Sequence, residues 1–177
     1  MTPTLETDRL LLRGHAVSDF DAGLHIWRDP LVTKYVGGKP STRHESWSRL
    51  LRYPGHWALL GYGYWAIEEK ASGKFIGEAG FGDFKRELDP PIDGIPEIGW
   101  ALDSRVHGQG YGSEALRAIL AWGDDHLAAD KSVCLIHPEN AASIRLATKH
   151  GYRESARTTY LDHPTLLFER AKTHPAR

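Results

Sequence analysis

Glu97-Ile98-Gly99-Trp100-Ala101-Leu102, then, four residues on, His107-Gly108-Gln109-Gly110-Tyr111-Gly112-Ser113-Glu114-Ala115-Leu116 is the stretch on which the fold turns. The first six residues read as a strand. Glycines 108, 110 and 112 let the backbone turn sharply and bring its N–H groups near a ligand with no Cβ in the way. A helix opens there, because Leu116, Ile119, Leu120, Gly123 and Leu127 fall on one face before it ends near Ala128. Val133 to His137 is the next strand. Strand, helix and strand in this order require a parallel pair with a right-handed crossover. Backbone N–H groups and the positive end of the helix form an anion site suited to phosphate oxygens. The same spacing also fits a glycine-rich turn that binds nothing.

Outward from this unit the chain is organised as one domain. Leu10 to Arg13 reads as a short first strand. Ser18 with Asp21 has capping-box spacing, and Phe20, Leu24 and Trp27 follow at helical intervals until Asp29-Pro30 stops the run. Thr42 with Glu45 opens a second helix carrying Trp47, Leu50 and Leu51. Tyr64 to Ile67 and Lys74 to Phe84 are strands joined at Ala71-Ser72-Gly73, and Leu88 to Gly94 is a breaker-rich surface loop. After the parallel unit come a helix over Asn140 to Lys149 and a closing strand pair, Tyr152 to Arg157 and Thr165 to Ala171. The expected fold is mixed α/β (α+β): a largely antiparallel sheet of six to seven strands, flanked by helices, around a parallel β-α-β centre. It fills a single domain over 1–177, with its core over about 7–171.

Composition bounds the function. Of 177 residues, 41% are hydrophobic, 25% charged and 10% aromatic, which excludes disordered and collagen-like chains. A net charge of −1 gives no global pull toward nucleic acid or anionic membrane, so neither is an expected partner. The single cysteine, Cys134, excludes an intramolecular disulfide and a Cys-only metal cage. Ten histidines show no His-Glu-x-x-His pattern, so no metal is expected. The acidic beginning is no secretory signal, and the most apolar window, His56 to Ile67, is broken by glycines. A soluble, cytoplasmic protein is expected.

Among phosphate binders, a Walker loop is ruled out because no Gly-Lys-Ser/Thr triplet occurs. A dinucleotide fingerprint would need a third glycine where Ser113 or Ala115 stands, and its acidic ribose partner is missing. The quoted stretch instead resembles the acetyl-CoA signature of the GNAT N-acetyltransferases. Pro138-Glu139-Asn140 with Ser143, and Lys149-His150-Gly151-Tyr152, are similar to that family's next strand and helix. Thr7-Asp8-Arg9-Leu10, with Leu12-Arg13, resembles the opening of its ribosomal-protein N-terminal alanine acetyltransferase branch. The resemblance runs from about Thr7 to Arg170. It implies that backbone from His107 through Gly108, Gln109, Gly110, Tyr111 and Gly112 to Ser113 holds the cofactor diphosphate. It also implies that Trp100, Ala101 and Leu102 pair with the pantetheine amides, and that Asn140 and Ser143 lie near the thiol. His107 stands where the family commonly has Arg or Gln.

Acetyl transfer to an amine needs a base, a polarised carbonyl and an acid for the thiolate. The resemblance gives the second to backbone on the Trp100 strand. Carboxylate candidates for the base are Glu97, which shares a face with Gly99 and Ala101, and Glu78, between Gly77 and Ala79. His137 or a water chain are alternatives. The family's tyrosine acid is absent, since Ala147 occupies its place, and Ser143 is the nearest substitute. Trp47, Tyr53, Trp57, Asp83, Glu87, Asp89 and Asp93 would suit a cationic acceptor. The expected activity transfers acetyl from acetyl-CoA to a protein N-terminus or small amine in a ternary complex. A non-catalytic acyl-CoA-binding or regulatory module is the alternative, and a homodimer is compatible with either.

Overall fold

A computed structural model describes residues 1–173; the expected domain extent, 1–177, runs past them. Eight strands are assigned: β1 (Leu5–Glu6), β2 (Leu10–Arg13), β3 (Tyr64–Glu69), β4 (Lys74–Gly82), β5 (Glu97–Leu102), β6 (Lys131–Ile136), β7 (Arg153–Tyr160) and β8 (His163–Ala171). Five helices accompany them: α1 (Phe20–Arg28), α2 (Pro30–Thr33), α3 (Arg43–Leu60), α4 (Tyr111–His126) and α5 (Ala141–Lys149). One sheet runs β1-β2-β3-β4-β5-β6-β8-β7. Every pairing is antiparallel except β5 with β6.

The expected mixed sheet with its parallel centre is therefore present, with an eighth strand. That strand is Leu5–Glu6, too short to carry a period in sequence. The predicted closing pair also holds, with β8 inserted between β6 and β7. Two local signals are resolved differently. Ser18 and Asp21 form no capping box; a 3₁₀ turn over Val17–Asp19 leads into α1, and Asp19 accepts from the Ala16 N–H at 2.8 Å. Pro30 does end α1, but it also starts α2, because Asp29 caps that helix by accepting from the Leu31 N–H. The Thr42–Glu45 capping box forms as predicted.

The core has two sides because successive strand residues face opposite ways. On one side Leu10, Leu12, Trp65, Ile67, Phe81, Ile98 and Leu102 pack against Tyr111, Ala115, Leu116, Ile119 and Leu120 of α4. On the other, Ile26 and Trp27 of α1 cover Ala101. The loop before β5 is not wholly solvated, since Ile92 packs on Val133 and Leu167. Among the described residues no helix is long and apolar enough to cross a membrane.

Candidate active site

β5 and β6 share one registered pair, Glu97 with Val133. Beyond it the two strands pair no further, although β5 continues to Leu102. An interior strand edge left without a ladder partner presents N–H and C=O groups to any amide-bearing chain that enters. The β5–α4 loop leads from the end of β5 and α5 follows the end of β6, and Gly112 of α4 lies against Leu146 of α5.

The loop is shaped by two residues in the left-handed region, Gly108 at φ 74° and Gly110 at φ 84°, the latter capping α4. Gly112 is already helical, and its role is close packing: a Cβ would lie 3.3 Å from Leu146. Gly108, Gln109 and Gly110 are exposed. His107 points its Nε2 to the Leu102 carbonyl at 3.0 Å, and Gln109 donates from Nε2 to the Arg105 carbonyl. The Tyr111 ring is buried and its hydroxyl donates to Glu69. Ser113 Oγ lies 3.0 Å from His150 Nε2. Burial, with Lys149, Arg117 and Arg170 nearby, lowers the His150 pKa.

Across the opening, Asn140 caps α5 by accepting from the Ser143 N–H at 3.1 Å. Half-buried Trp100 donates from Nε1 to Ser143 Oγ at 3.3 Å. The hydroxyl oxygen is thus an acceptor in this contact, and its proton is left to donate. Ala101 is buried beneath α1 and Leu102 against α4.

On the α1 side, register places Glu78 beside Ala101, Gly80 beside Gly99 and Gly82 beside Glu97. The small residues do not leave an open cleft. Tyr64, paired with Gly80, lies across both glycines, and a Cβ on Gly99 would collide with its hydroxyl. Burial, with Glu97 and Glu78 close by, drives the Tyr64 phenol far above its ordinary pKa, so it stays protonated. Its ring stacks on Tyr53 at 4.8 Å between centroids.

The two carboxylates are in unlike settings. Neither is a surface group, as Glu78 is 4% and Glu97 6% exposed. Arg86 grips Glu97 with two bonds, Nε at 2.7 Å and Nη2 at 2.9 Å. Such a bidentate pair fixes the carboxylate in place and occupies both of its oxygens. Glu78 has neutral donors instead: Trp27 Nε1 at 2.9 Å and the Tyr53 hydroxyl. Its other oxygen is 3.6 Å from His15 Nε2, whose two ring nitrogens have no hydrogen-bond partner among the described residues.

His137 follows β6; its Nδ1 accepts from the Glu139 N–H and its ring stacks on Tyr35. Of the expected acceptor contacts, Tyr53 and Trp57 are buried, Trp47 packs edge-on against Phe20, and Asp83 is paired with Lys85. Glu87, Asp89 and Asp93 are exposed. Sequence reading missed two features: the seat of Tyr64 on Gly80 and Gly99, which depends on strand register, and the Arg86 grip, which depends on how the loop before β5 folds back. The single available signal was the pair of glycines at 80 and 82, of which Gly80 stands opposite Gly99. Among the described residues no three His, Cys, Asp or Glu side chains converge to hold a metal.

Known proteins resemble this chain in sequence and fold. Residues 9–153 match the model of the acetyltransferase (GNAT) domain. The uncharacterized N-acetyltransferase p20 of Bacillus licheniformis is 30% identical over 152 residues, 85% of this chain and 83% of that protein. The crystal structure of an acetyltransferase from Agrobacterium tumefaciens superposes with a TM-score of 0.82 at 28% identity, covering 96% of this chain and 94% of that one. RimL, a ribosomal L7/L12 alpha-N-protein acetyltransferase in complex with coenzyme A, shares the fold at 18% identity and a TM-score of 0.76, with 96% and 98% covered.

Proposed function

Because the chain belongs to the GNAT acetyltransferase family, we propose that it moves an acetyl group from acetyl-CoA directly onto a primary amine, with Glu78 as base and Ser143 as acid. The observation that carries this reading is the unpaired edge of β5 between the Gly108–Gly112 loop and the cap of α5. That edge suits pantetheine amides in the manner of an added strand, and the loop N–H groups at the helix start suit a diphosphate.

The residues divide the work as their settings allow. The amine nitrogen attacks the thioester carbon, forming C–N as C–S breaks. Backbone N–H on β5 near Trp100 and Ala101 stabilises the carbonyl oxygen as it gains charge. Glu78, held by neutral donors, takes the ammonium proton through water, while Glu97 stays paired with Arg86 and fixes the strand start. Ser143, with its proton undonated in the Trp100 contact, protonates the departing thiolate. Tyr64, protonated between the two carboxylates, offers its oxygen to the incoming amine.

The acceptor is a protein N-terminal α-amine or a small amine; RimL, by its name, acts on a protein α-amine. Initial rates with both substrates varied test the ternary complex. Intersecting reciprocal plots are expected, whereas parallel plots indicate an acyl-enzyme and would exclude direct attack.

A further inference from the structure

The diphosphate loop carries no lysine or arginine from Gly108 to Ser113, and the His107 ring just before it is turned onto the Leu102 carbonyl. It carries a carboxylate, Glu114, in the first turn of α4. There a negative charge suits the helix end but competes with any bound anion for the same positive potential. The structure answers this from the far end of the sequence. Arg9 donates from Nε to Glu114 Oε2 at 2.7 Å and from its backbone N–H to Oε1 at 2.8 Å. Thr7 adds its hydroxyl to the same Oε1 at 2.6 Å. Nη1 of Arg9 then reaches the Gln109 carbonyl at 3.1 Å, and the guanidinium lies over the Tyr111 ring, 4.2 Å from its centroid. Nη2 lies beside Gly110, 3.4 Å from where a Cβ would be.

We propose that Arg9 is the positioning residue of the diphosphate site, neutralising Glu114 and holding the Gln109 carbonyl inward so that the loop N–H groups face the ligand. The inference rests on the acetyl-CoA reading above. A peptide unit has its C=O and N–H on opposite sides, so a carbonyl tied to Arg9 turns the Gly110 N–H away from Arg9. The Glu114 charge is absorbed by Arg9, Thr7 and a backbone N–H, leaving the helix end to the phosphates.

The prediction separates donors by whether they carry the diphosphate. With Arg9→Ala, KM for acetyl-CoA should rise about 10-fold or more, as for a lost charge-assisted contact. kcat at saturation should stay within about twofold and KM for acetyl-pantetheine, which lacks the diphosphate, should not move. Adding Glu114→Gln to Arg9→Ala should recover much of the loss, because the competing carboxylate is gone. Arg9→Lys, which keeps charge but not the fork, should fall between and serves if Arg9→Ala does not fold. Equal effects on both donors, no effect on either, or a double variant no better than Arg9→Ala would reduce Arg9 to a fold staple and overturn the proposal. A wild-type protein that turns over neither donor contradicts the transferase reading itself. One that uses both donors with equal KM contradicts only the diphosphate site.

Discussion

At the scale of single residues, what matters is which side chains remain able to give or take a proton. Ser143 accepts from Trp100 and keeps its own proton, so Ser143→Ala should lower kcat roughly 10-fold or more with unchanged CoA affinity. An unchanged kcat would remove this hydroxyl from the mechanism. Tyr64→Phe deletes one oxygen from a ring seated on Gly80 and Gly99 without touching the ring's packing. It should reduce kcat/KM for the amine by about 10-fold, the worth of one hydrogen bond, and leave KM for acetyl-CoA alone. A loss confined to acetyl-CoA would place Tyr64 elsewhere in the cycle. Glu78 and Glu97 were legible as candidates because each is a lone carboxylate on a strand of small residues. Their difference was not legible. Arg86 precedes Glu97 by 11 residues across a loop, and nothing in that interval shows that its guanidinium folds back onto the strand.

At the scale of elements, the loop–helix start is where sequence and structure agree best. Gly108 and Gly110 both take φ values that other residues adopt at a cost, which is why the spacing could be read without coordinates. The Thr42–Glu45 box was equally readable, since it is local and reciprocal. Ser18–Asp21 failed because Asp19, one residue along, reaches the Ala16 N–H first and is held by Arg13. The tie between the β1–β2 turn and α4 also predicts a pH response. Burial pushes the Glu114 carboxyl up, but hydrogen bonds from Thr7 and Arg9 outweigh it and the pKa falls below the ordinary value. A carboxyl depressed in the fold stabilises it above its unfolded pKa, and that stabilisation is lost as pH falls through the folded value. Melting temperature should therefore drop as pH falls from about 4.3. Glu114→Gln should make that acid limb shallower; an identical limb would show that the tie is not formed in solution.

At the scale of the whole molecule, the fold was legible because its centre is contiguous in sequence. Strand, loop, helix and strand from Glu97 to Ile136 form one unit, and the β1–β2, β3–β4 and β7–β8 hairpins are closed by short turns. What could not be read joins distant parts of the chain. Arg9 and Glu114 are 105 residues apart, and Trp27 and Glu78 are 51 apart. Contacts at such separation leave no periodicity, and they decide how charge is distributed around the opening between β5 and β6. On the proposed function this opening is a site of turnover, not merely of binding. Turnover is tested most directly by incubating the protein with acetyl-CoA and a panel of N-terminal peptides and small amines, following free thiol and acceptor mass together. At least one acceptor should gain one acetyl group for each CoA thiol released. Tight CoA binding, with no thiol release and no mass gain across the panel, would contradict this and leave a non-catalytic acyl-CoA-binding module.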